Sequence, residues 1–331
     1  LSETIPVIDV RSPSEYSRGH MPVASNVPVF DDTQRESVGI EYKREGRSKA
    51  IIKGLKLAGP GMHEKLREAL EIAEAGKILV HCWRGGMRSE AMGWLLSLAG
   101  IDIYLLEGGY KAYRNHVLGS LGEKRQMIIL GGMTGSGKTR MLQHIGRSGR
   151  QVIDLEAIAS HKGSAFGALG QAPQPTSEHF ANLLYDQWKR VEMDQPVWLE
   201  DESRNIGTVF MPDAFYNNMQ KAPTIILLID RDRRIPRLIE EYAVYPRELL
   251  AEAVMKIRKR LGGDRASDAL RAIETGDLPK AIEITLEYYD KAYLHGITRK
   301  RSGNIIQVKT DTDDIMENSR KIIDASRQIN L

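Results

Sequence analysis

Gly132-Met133-Thr134-Gly135-Ser136-Gly137-Lys138-Thr139 matches in full the pattern of a phosphate-binding loop. That pattern demands a particular setting. A buried strand must lead into it and a helix must lead out, because the glycines let backbone N–H groups wrap a phosphate that the helix N-terminus then attracts. Both flanks are present. Met127–Leu130 reads as an apolar strand, and Met141, Leu142 and Ile145 give the next segment one apolar face. Gly132, Gly135, Ser136 and Gly137 form the wrap, Lys138 supplies charge, and Thr139 offers a hydroxyl to a magnesium ion. What such a loop recognises is a phosphate chain rather than a base, with nucleotide as the default ligand.

Acids at two further strand ends extend the site. Asp154 and Glu156 follow the strand Gln151–Asp154; Asp201, Glu202, Ser203 and Arg204 follow Val197–Glu200. Asp201 stands where an acid could hold magnesium together with Thr139, although any one of these acids could instead cap a helix. Strands at Thr224–Ile229 and Ile305–Val308 complete the series. The chain between them reads as mainly helical, with Leu249, Leu250, Ala253, Val254, Ile257 and Leu261 at helical spacing before Gly262-Gly263, and a second helix over Ala281–Leu294. This predicts an α/β domain over residues 125–331 with a helical C-terminal region.

The first 120 residues read as a second α/β domain, ending at a Gly-, Ser- and charge-containing stretch, Leu118–Arg125. Strands are expected at Ile5–Val10, Lys77–His81 and Ile103–Leu106, and helices after Ser12 and over Gly61–Ala75 and Ser89–Leu98. A length of 331 residues suits two domains. No apolar run approaches 18 residues, so no spanning helix is expected, and the opening residues carry no secretory signal. The single cysteine, Cys82, cannot form an intrachain disulfide or a Cys-rich zinc site, which fits a cytoplasmic home. It ends the strand Ile78–His81 and enters Trp83-Arg84-Gly85-Gly86-Met87-Arg88-Ser89. A strand, a Gly-rich loop and a helix start make an anion cradle, with Arg84 and Arg88 adding charge and the thiol expected to be acidified.

The segments Ile8-Asp9-Val10-Arg11-Ser12-Pro13-Ser14-Glu15-Tyr16 and Gly19-His20-Met21-Pro22-Val23-Ala24-Ser25-Asn26-Val27-Pro28 resemble the opening of a rhodanese domain, with the cysteine loop where the rhodanese active-site loop falls and Leu106-Glu107-Gly108-Gly109-Tyr110 similar to its closing turn. Asp9, Arg11 and His20 of that opening read as structural. The spacing His81-Cys82, five residues, Arg88 also fits the cysteine-phosphatase pattern, and the loop is one residue longer than in ordinary sulfurtransferase rhodaneses. It has room for a tetrahedral oxyanion.

A rhodanese-like domain followed by a P-loop NTPase-like domain, with His161-Lys162-Gly163-Ser164-Ala165-Phe166-Gly167 and Glu200-Asp201-Glu202-Ser203-Arg204-Asn205-Ile206-Gly207, resembles the tRNA 2-selenouridine synthase family over nearly the whole chain. The resemblance implies a transferase acting on tRNA wobble 2-thiouridine. The sulfur is geranylated from geranyl diphosphate, and selenium from selenophosphate then replaces the S-geranyl group. Cys82 maps onto the family's essential cysteine. No permanent cofactor is implied; magnesium is a candidate. Arg231, Arg233, Arg234 and Arg237, then Lys256, Arg258, Lys259 and Arg260, then Arg299, Lys300 and Arg301 are the candidate tRNA surface. An apolar groove for the prenyl chain is sought around Phe166 and around Phe180, Leu183 and Leu184. The competing readings are a small-molecule kinase or ATPase with a rhodanese- or phosphatase-like regulatory domain, and a phosphate-sensing binding module.

Overall fold

The computed structural model describes residues 5–73, 76–300 and 303–329, the side chains of 297–300 excepted. It divides into two compact units, Leu1–Ser120 with Ala181–Asp186, and Leu121–Phe180 with Gln187–Leu331.

In the first unit, strands β1 (Val7–Asp9), β2 (Ala24–Asn26), β3 (Lys77–His81) and β4 (Asp102–Leu105) form a parallel sheet in the order β2-β1-β3-β4. Helices α1 (Pro13–Arg18), α2 (Asp32–Glu45), α3 (Arg47–Ala58), α4 (Met62–Ile72), α5 (Met87–Leu98) and α6 (Gly109–Gly122) connect and follow them. The central strands are apolar because both faces are covered: Ile8, Val10, Ile78 and Val80 pack with Val27, Met92 and Leu96 in one buried cluster. Helix α2 has no buried residue, so no apolar stripe announces it in the sequence. It is fixed at its start instead, where Asp31 accepts from Gln34 N at 2.7 Å. The stretch expected as a connection is helical as far as Gly122, and α6 buries Val117 and Leu121.

The second unit carries a five-stranded parallel sheet in the order β11-β10-β5-β7-β6. Its strands are β5 (Met127–Gly132), β6 (Gln151–Ile153), β7 (Val197–Glu200), β10 (Thr224–Ile229) and β11 (Ile305–Thr310), with a short antiparallel hairpin of β8 (Asn205–Ile206) and β9 (Val209–Phe210). Helices α7 (Lys138–Arg147) and α15 (Ile315–Ser326) share one core with Ile128, Leu130, Trp198, Ile225 and Leu227. The other helices are α8 (Leu155–Ala159), α9 (Ser177–Trp188), whose Ala181–Asp186 belongs to the first unit, α10 (Asp213–Lys221), α11 (Arg231–Tyr242), α12 (Arg247–Leu261), α13 (Gly263–Thr275) and α14 (Leu278–Lys300). The last four pack on their own apolar cluster, built around Leu238, Val254, Ile257, Ala269 and Leu286. Gly262 ends α12 at φ +96°, and Gly263 already begins α13. No described helix is long and apolar enough to cross a membrane.

Candidate active sites

Cys82 leaves the C-terminal end of β3 almost buried. Its Sγ accepts from Gly86 N and from Ser89 Oγ, each at 3.3 Å. Burial pushes the thiol up, but the Ser89 hydroxyl and the N–H groups of Ser89, Arg84 and Gly86 outweigh it, so the net shift is downward. The Leu106–Tyr110 turn closes the loop from outside. Tyr110 N donates to Cys82 O and Lys111 N to Trp83 O, both at 2.9 Å. Gly85 and Gly109 have positive φ. A Cβ on Gly85 would lie 2.6 Å from Leu106 O, and one on Gly109 would run into Cys82 O. The glycine pair Gly108-Gly109 therefore serves the cysteine loop across the sequence gap.

Arg84 lends its backbone N–H while its side chain is exposed. Arg88, expected as fixed charge for an anion, is already matched: its Nη1 donates to Glu15 Oε2 at 2.6 Å, and Arg35 approaches the same carboxylate at 3.5 Å. In the sequence Glu15 stands out only as part of the rhodanese-like opening. Asp9 and Arg11 form a buried pair at 2.6 Å, with the guanidinium 3.7 Å from the Tyr110 ring centre. His81 lies fully buried beside Asp9, and that burial holds its pKa down. His20 stacks on Tyr16 with ring centroids 3.8 Å apart.

In the second unit, a cleft of about 740 Å³ is lined by the phosphate loop and by Glu156, Asp201, Glu202 and Ser203 from the strand ends. Gly135 and Gly137 take φ of +79° and +84°, the left-handed turns that the loop pattern reserves for glycine. Lys138 Nζ donates to Gly132 O at 2.9 Å, and Thr139 Oγ1 to Glu156 Oε2 at 3.0 Å. Glu200, which the sequence reading left out of the site, is fully buried, and its Oε1 has no hydrogen-bond partner. Burial, then the charges of Glu156 and Asp154, push its carboxyl up to about 8. Glu156 and Glu202 are raised as well, chiefly by burial. The apolar run Val197-Trp198-Leu199 ending in an acid was the signal for Glu200.

Neighbouring residues in an extended segment point opposite ways. Glu200 and Glu202 turn toward Glu156, whereas Asp201 turns to Tyr293, whose hydroxyl donates to Asp201 Oδ2 at 3.1 Å and accepts from Gly132 N at 2.6 Å. The acids at the Thr139 hydroxyl are Glu156 and Glu200, while Asp201 lines the same cleft as Thr139. Asp154 caps α8 through Ala157 N at 2.8 Å. Arg204 pairs with Asp213 and does not line the cleft. Ser203 lines it while its Oγ donates to Asn205 O at 2.6 Å.

The basic clusters separate. Arg234 is not surface: it is 2% exposed, binds Asp290 through two hydrogen bonds of 2.8 and 2.6 Å, and donates to Thr134 O at 3.0 Å. Arg237 is half-buried and donates to Gly135 O and Asp313 O. Both therefore brace the phosphate loop from α11. Arg231 and Arg233 are exposed, as are Lys256, Arg258, Lys259 and Arg260 on α12; Arg260 also lines the cleft. The side chains of Arg299, Lys300 and Arg301 lie outside the described residues. Of the apolar candidates, Phe180 and Leu184 are fully buried core, which removes them as a groove, and Leu183 is half-buried. Phe166 borders a small apolar pocket that shares Thr134, Leu238, Tyr242 and Tyr289 with the phosphate cleft.

Comparison with known proteins matches the same two units. Residues 1–116 match the rhodanese-like domain, and residues 125–324 match the tRNA 2-selenouridine synthase AAA domain. A tRNA 2-selenouridine synthase of Nitrosomonas europaea is 32% identical over 89% of this chain and 90% of its own. One from Sulfurovum sp. is 33% identical over 90% of each, and one from Marinobacter nauticus is 33% identical over 92% and 91%. Identity of this level, sustained through a two-domain pairing from near one end to the other, places the chain in the tRNA 2-selenouridine synthase family.

Proposed function

We propose that this chain converts a 2-thiouridine of tRNA to 2-selenouridine in two steps, one at each site. In the first, the base sulfur attacks the carbon bearing the diphosphate of geranyl diphosphate; the S–C bond forms, the C–O bond breaks, and diphosphate departs with its oxygens held by the phosphate loop and Lys138. In the second, selenium from selenophosphate replaces the S-geranyl group, which leaves more readily than sulfide. The thiolate of Cys82 attacks C2 of the S-geranylated base and expels geranylthiolate; the selenium of selenophosphate then attacks C2 and expels Cys82, and water cleaves the P–Se bond to release phosphate. The low-lying thiol inside an N–H cradle supports that role.

The observation that carries the reading is the pairing in one chain of a cleft lined by the phosphate loop, Lys138 and Thr139 with an acidified cysteine in an N–H cradle. The apolar residues that meet the cleft at Thr134, Leu238, Tyr242 and Tyr289 are packed core. The free space among them is about 20 Å³, too little for a prenyl chain, and the choice of a prenyl diphosphate over ATP rests on the reaction, whose diphosphate is its own leaving group. Magnesium would be held by the Thr139 hydroxyl and the cleft-lining carboxylates of Glu156 and Asp201 with diphosphate oxygens and water, where it would neutralise charge on the leaving group. Nucleoside mass analysis of tRNA from cells lacking the protein tests the reading: wobble 2-selenouridine should disappear and return with the gene, and its persistence would refute the function.

A further inference from the structure

We propose that the part of the second unit's cleft lined by α10 and α14 is a slot for a single nucleobase, formed by Tyr216 and Gln220 of α10 and Tyr293 of α14 beside Asp201. The cleft, at about 740 Å³, is in the range that encloses a whole small molecule, well beyond a diphosphate. Tyr216 and Gln220 are four residues apart and so share one face of α10, and Tyr289, Ala292, Tyr293 and Gly296 share one face of α14; all six line the cleft. Tyr216, Gln220 and Tyr293 are half-buried, leaving surface to offer a ligand. The Tyr293 hydroxyl is tied at once to Gly132 N and Asp201 Oδ2, which fixes the ring before anything binds. A fixed aromatic face, an amide and a carboxylate are what a splayed-out base needs, stacking on one side and hydrogen bonds to its polar edge on the other. Arg260, exposed at the end of α12 and also lining the cleft, suits a flanking phosphate.

The shared chemistry is a planar base, and its source is either tRNA or a mononucleotide. The proposal commits to tRNA, and in this it rests on the function proposed above. The test uses the full chain and an anticodon stem-loop carrying 5-iodouridine at the wobble position. Photocrosslinking should map to Tyr216 or Tyr293. Tyr216→Leu should weaken stem-loop binding roughly tenfold and lower the crosslink yield, while Tyr216→Phe, which keeps a ring, should restore both. Crosslinks confined to other elements, or stem-loop binding untouched by Tyr216→Leu, would overturn the slot. So would a Tyr216→Leu protein that loses ATP affinity yet binds the stem-loop normally, since that assigns the slot to a mononucleotide. Geranyl transfer is not read in this assay; a protein that crosslinks here and transfers no geranyl group contradicts the proposed function alone.

Discussion

Arg88 Nη1 lies 2.6 Å from Glu15 Oε2, tying the helix that follows the cysteine loop to the first helix of the chain. The same carboxylate oxygen accepts from Ser12 N, so Glu15 caps α1 and holds Arg88 at once. An oxyanion that uses Arg88 must share it with Glu15. Arg88→Ala should raise the KM for selenophosphate about tenfold or more, by loss of a charge-assisted hydrogen bond. Glu15→Gln keeps the scaffold and removes the competing charge, so KM should stay level or fall. Equal damage from the two substitutions, measured with selenophosphate as the varied substrate, would show that the pair is only structural.

The cysteine loop also predicts a pH dependence. The Sγ contacts favour the thiolate over the thiol, so the midpoint for alkylation of Cys82 should lie below that of an ordinary cysteine, about 8.5. Ser89→Ala removes the first of the lowering contributions and leaves burial unopposed by it, so the midpoint should rise. Iodoacetamide rates against pH read this directly, since Cys82 is the one cysteine in the chain. A midpoint unmoved by Ser89→Ala would contradict the cradle account.

Arg233 and Arg234 are adjacent in sequence and should behave as opposites. Arg234→Ala strands the carboxylate of Asp290, which is 19% exposed, and should cost about 3 kcal/mol of stability, seen as a lower Tm. Arg233→Glu, on the exposed face, should leave Tm alone while weakening tRNA binding and flattening its salt dependence by about one charge. A tRNA-binding defect without a stability defect in Arg234→Ala would restore Arg234 to the interface.

These neighbours show where the sequence could be read and where it could not. Strands such as Lys77–His81, Val197–Glu200 and Thr224–Ile229 were legible to the residue because buried parallel strands are short unbroken apolar runs. Helix α2 was not, because it buries nothing. The phosphate loop and the cysteine loop were legible because each is a local pattern. Their partners were not: Glu15 is 73 residues from Arg88, Tyr293 is 161 from Gly132, and Arg234 is 100 from Thr134. A basic residue near others looks like surface charge until folding shows a carboxylate against it.

The buried acids make a separate prediction about stability. Glu200 carries a folded pKa of about 8 against an ordinary 4.5, so the folded state binds more protons than the unfolded state between these values. Stability should therefore fall as pH rises through that window, the loss being complete above about 8. Glu200→Gln removes the charge that must otherwise be buried and should flatten the fall, gaining on the order of 1–3 kcal/mol over wild type at pH 9. Chemical denaturation across pH decides it; parallel curves for the two proteins would contradict the assignment.

On the proposed function, two sites carry out two separable steps. Lys138→Ala, Cys82→Ser and wild type should be assayed for each half-reaction: geranylation of 2-thiouridine tRNA from geranyl diphosphate, and selenation of tRNA supplied already geranylated. Lys138→Ala should lose the first and keep the second, because it removes the cation of the diphosphate site. Cys82→Ser should keep the first and lose the second, because geranyl transfer needs no thiol from the protein. Geranylation retained by Lys138→Ala, a strict ATP requirement in the geranyl step, or selenation retained by Cys82→Ser would contradict the account.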